Sequence, residues 1–268
     1  MAADRRALDC LEFPKRPGKP REKGLTIVRD YGLGYHAAED LMEAVGETVD
    51  YVKIRHLYTL LATRAEGHLL WRKIRLYRDH QVDVFPGGIV FELAYLQKQV
   101  APVLDGLLSM GFTAVEVSEN IIELSTKEKE ENIRMAADKG LKVLFEFGKK
   151  YGQEPFEVEP TAEEFKRLLG AGAKKITIER TELENVLGIR GEKAEAKRLR
   201  ELVDKVGLEH IVFEAETTAH QCWLLREFGP DANIGPNVEP EQVAKLEPHR
   251  YGLSRESGYT MLTRMLEK

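Results

Sequence analysis

Short apolar runs that stop at or just before an ionisable residue recur along this chain, with stretches of helical periodicity between them. The runs are LTIVRD, DYVKIR, VDVFPGG, AVEVSEN, LKVLFEFGKK, KKITIER and HIVFEAE, and a shorter one surrounds ANIGPN. Brief apolar runs bounded by turn signals suit strands buried on both faces, as in a parallel sheet. Eight such signals alternating with helices favour a single (β/α)8 TIM barrel over a doubly wound open sheet, which usually has fewer strands. The chain's 268 residues fit that barrel, which typically needs about 250. We place it at residues 25–268. Residues 1–24, which include RPGKPREKG, read as an N-terminal arm or solvated tail.

The helical segments carry their own signals. A helix is expected over His36 to Val45, with Gly46 near its stop, and Leu70, Ile74 and Tyr77 form an apolar stripe further on. IVFELAYLQKQVAPVLDGLLSMG reads as two helical pieces separated near Pro102. STKEKEENIRMAADKG opens on a serine or threonine cap, and Thr161 with Glu164 matches a capping box. ERTELEN reads as an acidic loop. No GxGxxG follows the first strand, so a dinucleotide site is not expected.

Charge at the C-terminal ends of the strands is what an enzyme barrel uses to build its active site. The candidates are Asp30, Glu116, Glu146, Glu179 and Glu214. Carboxylates gathered on one rim repel one another unless a cation neutralises them. Oxygen ligands suit magnesium better than zinc or copper. At least two of these carboxylates are expected to address Mg2+, and others to pair with Lys53, Lys149 or Arg180; spacing does not say which. Lys149 and Lys150 close the fifth strand, where a lysine among carboxylates can donate a proton or clamp an anionic group. Lys53 interrupts an apolar run and needs a partner, either structural or substrate.

Gly87, Gly88, Gly235 and Gly252 mark turns whose backbone amides can cradle phosphate, and Arg250 and Arg255 flank the last of them. As simple turns they are equally well explained. His36, His56, His220 and His249 lack metal-ligand spacing and read as surface or capping residues. Cys10 and Cys222 form no CxxC pair, so disulfide and zinc-thiolate readings are weak.

Apolar residues make up 43% and charged residues 32%, enough for a normal core. A net charge of -5 argues against electrostatic binding of nucleic acid or a membrane surface. No apolar stretch reaches the roughly 18 residues needed to span a bilayer. MAADRRALDC lacks the apolar stretch of a signal peptide, so a cytoplasmic enzyme is expected. Its partner is a small anionic molecule, captured by local positive charge or a metal. Association into a homo-oligomer is left open.

The order of these motifs resembles the phosphosulfolactate synthase family, from about KPREKGLTIVRDYGLG to LEPHRYGLSRESG. The matching elements carry Asp30, Lys53, Gly87, Gly88, Glu92, Glu116, Glu146, Lys149, Lys150 and Glu214. HQCW adds Gln221, and FGPDANIGPN adds Asn233 and Asn237. The resemblance implies a (β/α)8 barrel that adds sulfite to phosphoenolpyruvate, with magnesium, to make phosphosulfolactate. It further implies attack on the methylene carbon, charge developing on the substrate carboxylate, and protonation of the adjacent carbon, for which Lys149 is the candidate acid.

Several loops depart from the family's pattern. Where a Gly-Trp-Gly-Thr-Ser-like run follows the second-strand lysine, this chain has IRHLYTLL. A Ser-Asp-Gly step becomes Ser118, Glu119, Asn120, and an Arg-Glu-Ser-Gly step becomes Thr181, Glu182, Leu183, Glu184. A Gly-Leu-Arg step becomes Gly252, Leu253, Ser254, with Arg255 displaced by one. Losing an arginine and gaining acids there weakens anion binding. Two alternatives follow: a related barrel enzyme with another nucleophile or anionic substrate, or a non-catalytic, stress-related barrel.

Overall fold

The computed structural model describes residues 16–63, 65, 67–148, 154–188 and 195–266, together with Leu8, Cys10 and Leu11. The strands are β1 (Thr26–Asp30), β2 (Tyr51–Ile54), β3 (Asp83–Pro86), β4 (Ala114–Val117), β5 (Lys142–Phe147), β6 (Ala173–Ile178), β7 (Ile211–Phe213) and β8 (Asn233–Val238). Between and after them come α1 (Tyr35–Val45), α2 (His56–Leu60), α3 (Leu69–Asp79), α4 (Ile89–Leu96), α5 (Val100–Met110) and α6 (Thr126–Asp138). The second half carries α7 (Val158–Ala171), α8 (Arg180–Leu187), α9 (Ala196–Val206), α10 (Thr218–Phe228), α11 (Pro240–Arg250) and α12 (Thr260–Leu266).

The strands pair in the order β3-β2-β1-β8-β7-β6-β5-β4, and every ladder is parallel. Thr113, just before β4, bridges the remaining gap: its N–H donates to Val84 O (3.1 Å), and its Oγ1 accepts from Val84 N–H (2.9 Å). The result is a nearly closed (β/α)8 barrel wrapped by helices, as the alternation predicts.

Side chains on a strand alternate between the barrel interior and the helical shell. Leu25, Ile27, Tyr51, Phe85, Ala114, Leu144 and Val212 form one buried cluster. Val28, Val52, Val84, Val115, Val143 and Phe213, their neighbours in sequence, belong to a second cluster together with the helices. The first cluster is the barrel's interior and the second its shell. Two residues further along each strand, on the interior face, stand Arg29, Lys53, Gly87, Glu116, Glu146 and Glu214. One period-2 pattern therefore both fills the barrel and delivers its polar rim.

Some local expectations change. The break between α4 and α5 falls at residues 97–99, and Pro102 sits inside the first turn of α5, where its missing N–H costs nothing. Thr161 and Glu164 do not cap α7, because that helix begins earlier, after Glu157, and Thr161 N–H already donates to Glu157 O. ERTELEN is helical rather than a loop, since the Glu179 side chain accepts from Thr181 N–H and opens α8.

Residues 16–24 run across the N-terminal end of the barrel. There Lys19 Nζ donates to Gly46 O (2.6 Å), and Arg21 pairs with Asp50 at 2.9 Å. Among the described residues no helix is long and apolar enough to cross a membrane.

Candidate active site

Lys53, Glu116, Glu146 and Glu214 reach one cleft of about 190 Å³ at the C-terminal rim. Tyr31, Arg55, His56, Gly87, Gly88, Ile89, Asn120 and Asn237 complete its lining. Lys53 Nζ stands 2.8 Å from Glu116 Oε2 and 3.0 Å from Oε1. Gly88 N–H donates to the same Oε2 at 2.7 Å, so Glu116 is held from two sides.

Glu92, fully buried on α4, shapes the loop after β4. Its carboxylate accepts from Ser118 Oγ (2.5 Å), from the N–H groups of Asn120 and Ile121 (both 2.9 Å) and from Asn120 Nδ2 (3.1 Å). Thus anchored, Asn120 also donates to Glu146 Oε2 at 3.0 Å. On the far side, Asn237 Nδ2 donates to Glu214 Oε1 at 2.5 Å.

Burial opposes the charge on Lys53, but Glu116, Glu146 and Glu214 outweigh it and hold the ammonium well above the usual lysine range. Glu214 moves the other way. Burial pushes its carboxyl up to about 8, Lys53 offsets only part of that, and Glu146, Glu179 and Glu116 add repulsion. Among the described residues three carboxyl groups face a single ammonium, so the cleft floor favours a further cation or a bound proton.

Among the described residues, three buried oxygens in this cleft have no hydrogen-bond partner: Glu214 Oε2, Asn120 Oδ1 and Asn237 Oδ1. Both amide groups already spend their nitrogens on carboxylates, which leaves the carbonyl oxygens as acceptors. Among the described residues no three acidic, histidine or cysteine side chains gather closely enough to hold a metal by themselves. The orphaned oxygens do suit a hard cation that keeps water or substrate oxygens in its shell, as magnesium does.

The other candidates lie elsewhere. Asp30 points outward from β1 into the shell, where Oδ2 accepts from Lys73 Nζ (2.5 Å) and Tyr77 Oη (2.8 Å). Its Oδ1 accepts from Gly32 N–H (2.9 Å) and Leu33 N–H (2.8 Å), so the group is spent on structure. Glu179 caps α8 beside the cleft without lining it. Gln221 is buried on α10 and donates to Ala215 O at 2.9 Å.

Asn233 and Arg250 sit at the opposite, N-terminal end. Asn233 Oδ1 accepts from Leu25 N–H (2.9 Å), and Arg250 donates to the carbonyls of Pro230 (2.8 Å), Ala232 (2.6 Å) and Leu25 (2.8 Å). Gly235 packs against Ile27 within the barrel, where a Cβ would collide. Gly252 and Arg255 belong to the turn between α11 and α12, and Arg255 is exposed. Lys149 and Lys150 lie outside the described residues.

Sequence reading missed Tyr31 and Arg55 and took His56 for a surface group; all three line the cleft. Arg29 was missed as well. Its guanidinium lies 4.4 Å from the centre of the Tyr31 ring and pairs with Glu239 and, at 3.8 Å, Glu216. Strand parity would have found Arg29, whereas the loop residues carried no such signal.

Residues 14–256 match the family described as (2R)-phospho-3-sulfolactate synthase (ComA). The phosphosulfolactate synthase of Methanothermobacter thermautotrophicus is 36% identical over 253 residues, covering 92% of this chain and 95% of that protein. The phosphosulfolactate synthase of Methanocaldococcus jannaschii is 31% identical over 238 residues, covering 87% and 92%. Among solved structures, the YdjI aldolase from Escherichia coli K12 aligns with a TM-score of 0.54 at 12% identity, over 90% of this chain and 91% of that one. That last likeness is one of fold alone.

Proposed function

The chain belongs to the phosphosulfolactate synthase family, and from that premise we propose that it joins sulfite to phosphoenolpyruvate, with Mg2+ bound, to give phosphosulfolactate. It is a barrel enzyme of lyase type. The observation that supports the finer reading is the meeting of Lys53, Glu116, Glu146 and Glu214, at the C-terminal ends of four different strands, in one cleft.

The sulfur lone pair of sulfite attacks the methylene carbon, and the carbon–sulfur bond forms as the carbon–carbon double bond breaks. Those electrons pass into the substrate carboxylate, and a proton delivered to the adjacent carbon completes the addition with the phosphate ester intact. Substrate and transition state are both highly anionic, so electrostatic stabilisation is the dominant demand on the site.

Lys53 supplies a fixed positive charge, kept protonated by three carboxylates. Glu116, itself fixed by the Gly88 N–H, holds that ammonium in place. Glu214 Oε2, Asn120 Oδ1 and Asn237 Oδ1 would hold the magnesium ion, which when bound would stabilise the charge developing on the substrate carboxylate. Deprotonated Glu214 is the form that serves this purpose. The proton for the adjacent carbon is assigned to Lys149 on the sequence alone.

Phosphoenolpyruvate and sulfite incubated with the protein and magnesium should yield a product of phosphosulfolactate mass. Absence of that product across a broad pH range refutes the reading. Turnover of a different nucleophile in its place would favour the related-enzyme alternative, which the replaced loops motivate.

A further inference from the structure

We propose that Arg55 is the oxyanion-binding residue of this cleft, gripping the phosphate or sulfite group of the substrates; this rests on the functional reading above. The charge balance requires such a group. Glu116, Glu146 and Glu214 crowd the floor, and Lys53 is already paired with Glu116. Even with a divalent ion bound, these carboxylates consume the floor's positive charge, so the tetrahedral or pyramidal end of an anion calls for a cation nearer the mouth.

Among the cleft's described cations, Arg55 is the one with that capacity. It lines the cleft, its side chain is exposed, and no carboxylate pairs with it among the described residues. Arg29, by contrast, is engaged by Glu239 and Glu216. The Arg55 guanidinium lies 4.6 Å from the centre of the Tyr31 ring. A guanidinium resting on a ring uses its face and leaves its in-plane N–H fork free for an oxyanion. The backbone is fixed too, because Arg55 N–H donates to Asp30 O at 3.0 Å and Arg55 O accepts from Tyr58 N–H at 3.1 Å. The Asp30 backbone carbonyl thereby anchors the loop from outside the cleft.

Arg55 also stands in the IRHLYTLL run, where this chain departs from the family pattern. The arginine of that pattern's sixth-strand loop is Thr181 in this chain.

Calorimetric titration of the full-length protein with inorganic phosphate and, separately, with sulfite tests this without requiring turnover. Arg55→Gln should lower the affinity for at least one of the two anions by about tenfold or more, the usual worth of a charged hydrogen bond. Arg55→Lys should recover part of it, and circular dichroism should report an unchanged fold for both variants. Loss in the phosphate arm assigns Arg55 to the enol phosphate, and loss in the sulfite arm assigns it to the nucleophile. Unchanged affinity of Arg55→Gln for both anions, or no binding of either by the unaltered protein, overturns the proposal. If anion binding depends on Arg55 but no phosphosulfolactate forms, the site assignment stands and the sulfite-addition reading fails.

Discussion

The Lys53 ammonium on β2 reaches past β3 to the Glu116 carboxylate on β4, 2.8 Å away, and so ties together two strands that share no ladder. Both side chains are interior residues at the rim, and the pair forms one wall of the cleft. Replacing Lys53 by Met leaves Glu116, among the described residues, with only the Gly88 N–H, and exposes three carboxyl groups to one another. We expect a stability loss of about 3 kcal/mol or more in urea titrations, as for other broken buried pairs. Turnover should fall by about a hundredfold or more, consistent with loss of a preorganised charge. A variant with near-normal activity would remove Lys53 from the mechanism.

Gly88 and Gly87 should respond differently to Ala. A Cβ on Gly88 would clash with Ser118 Oγ, lie 2.7 Å from Ser118 Cβ and approach Glu116 Oε2 to 3.2 Å. Gly88→Ala therefore displaces Glu116 and Ser118 and lowers kcat. On Gly87 the nearest atom is Lys53 Cε at 3.4 Å, an ordinary contact. Steady-state kinetics should show Gly87→Ala as the milder change.

Glu214 makes stability and metal binding depend on pH. Its folded carboxyl sits at about 8, above the ordinary 4.5, so the folded state holds a proton that the unfolded chain has released. In metal-free protein this contribution is complete at pH below the ordinary value, declines as pH rises through the interval and is lost above about 8. Magnesium competes with that proton, so affinity should climb with pH over the same interval. Glu214→Gln should flatten both profiles in thermal melts and metal titrations; profiles unchanged by the substitution would assign the titration to another group.

Asp30 should behave as a structural residue. Tyr77→Phe deletes the 2.8 Å hydrogen bond to Asp30 while preserving shape. We expect a loss of about 1 kcal/mol with kcat and the magnesium requirement unchanged. A selective loss of metal dependence in that variant would restore Asp30 to the metal site.

The barrel was legible because each strand run is apolar on both faces and short, and because helical periodicity separates the runs. Much of the rim was legible too: Lys53, Glu116, Glu146 and Glu214 stand out as charges closing apolar runs, and all four line the cleft. What misdirected the reading of Asp30 was parity. Counting in twos from Leu25 leads to Ile27 and then Arg29, so Asp30 must face the helices.

Asn233 and Arg250 illustrate a second limit. Both look available for a ligand in a motif, yet each is consumed by backbone groups at the N-terminal end, a demand created only when β1 and β8 pair. Tyr31 and Arg55 come from loops, whose direction no periodicity specifies, and His56 opens α2. Their convergence depends on where α2 starts.

A crystal structure with magnesium and phosphoenolpyruvate bound tests the central claim most directly. The account predicts a metal within coordination distance of Glu214 and at least one of Asn120 and Asn237. The substrate should lie between that ion and Lys53, with its phosphate outermost. Substrate bound at the N-terminal end of the barrel, or metal held by Asp30 instead, would contradict it.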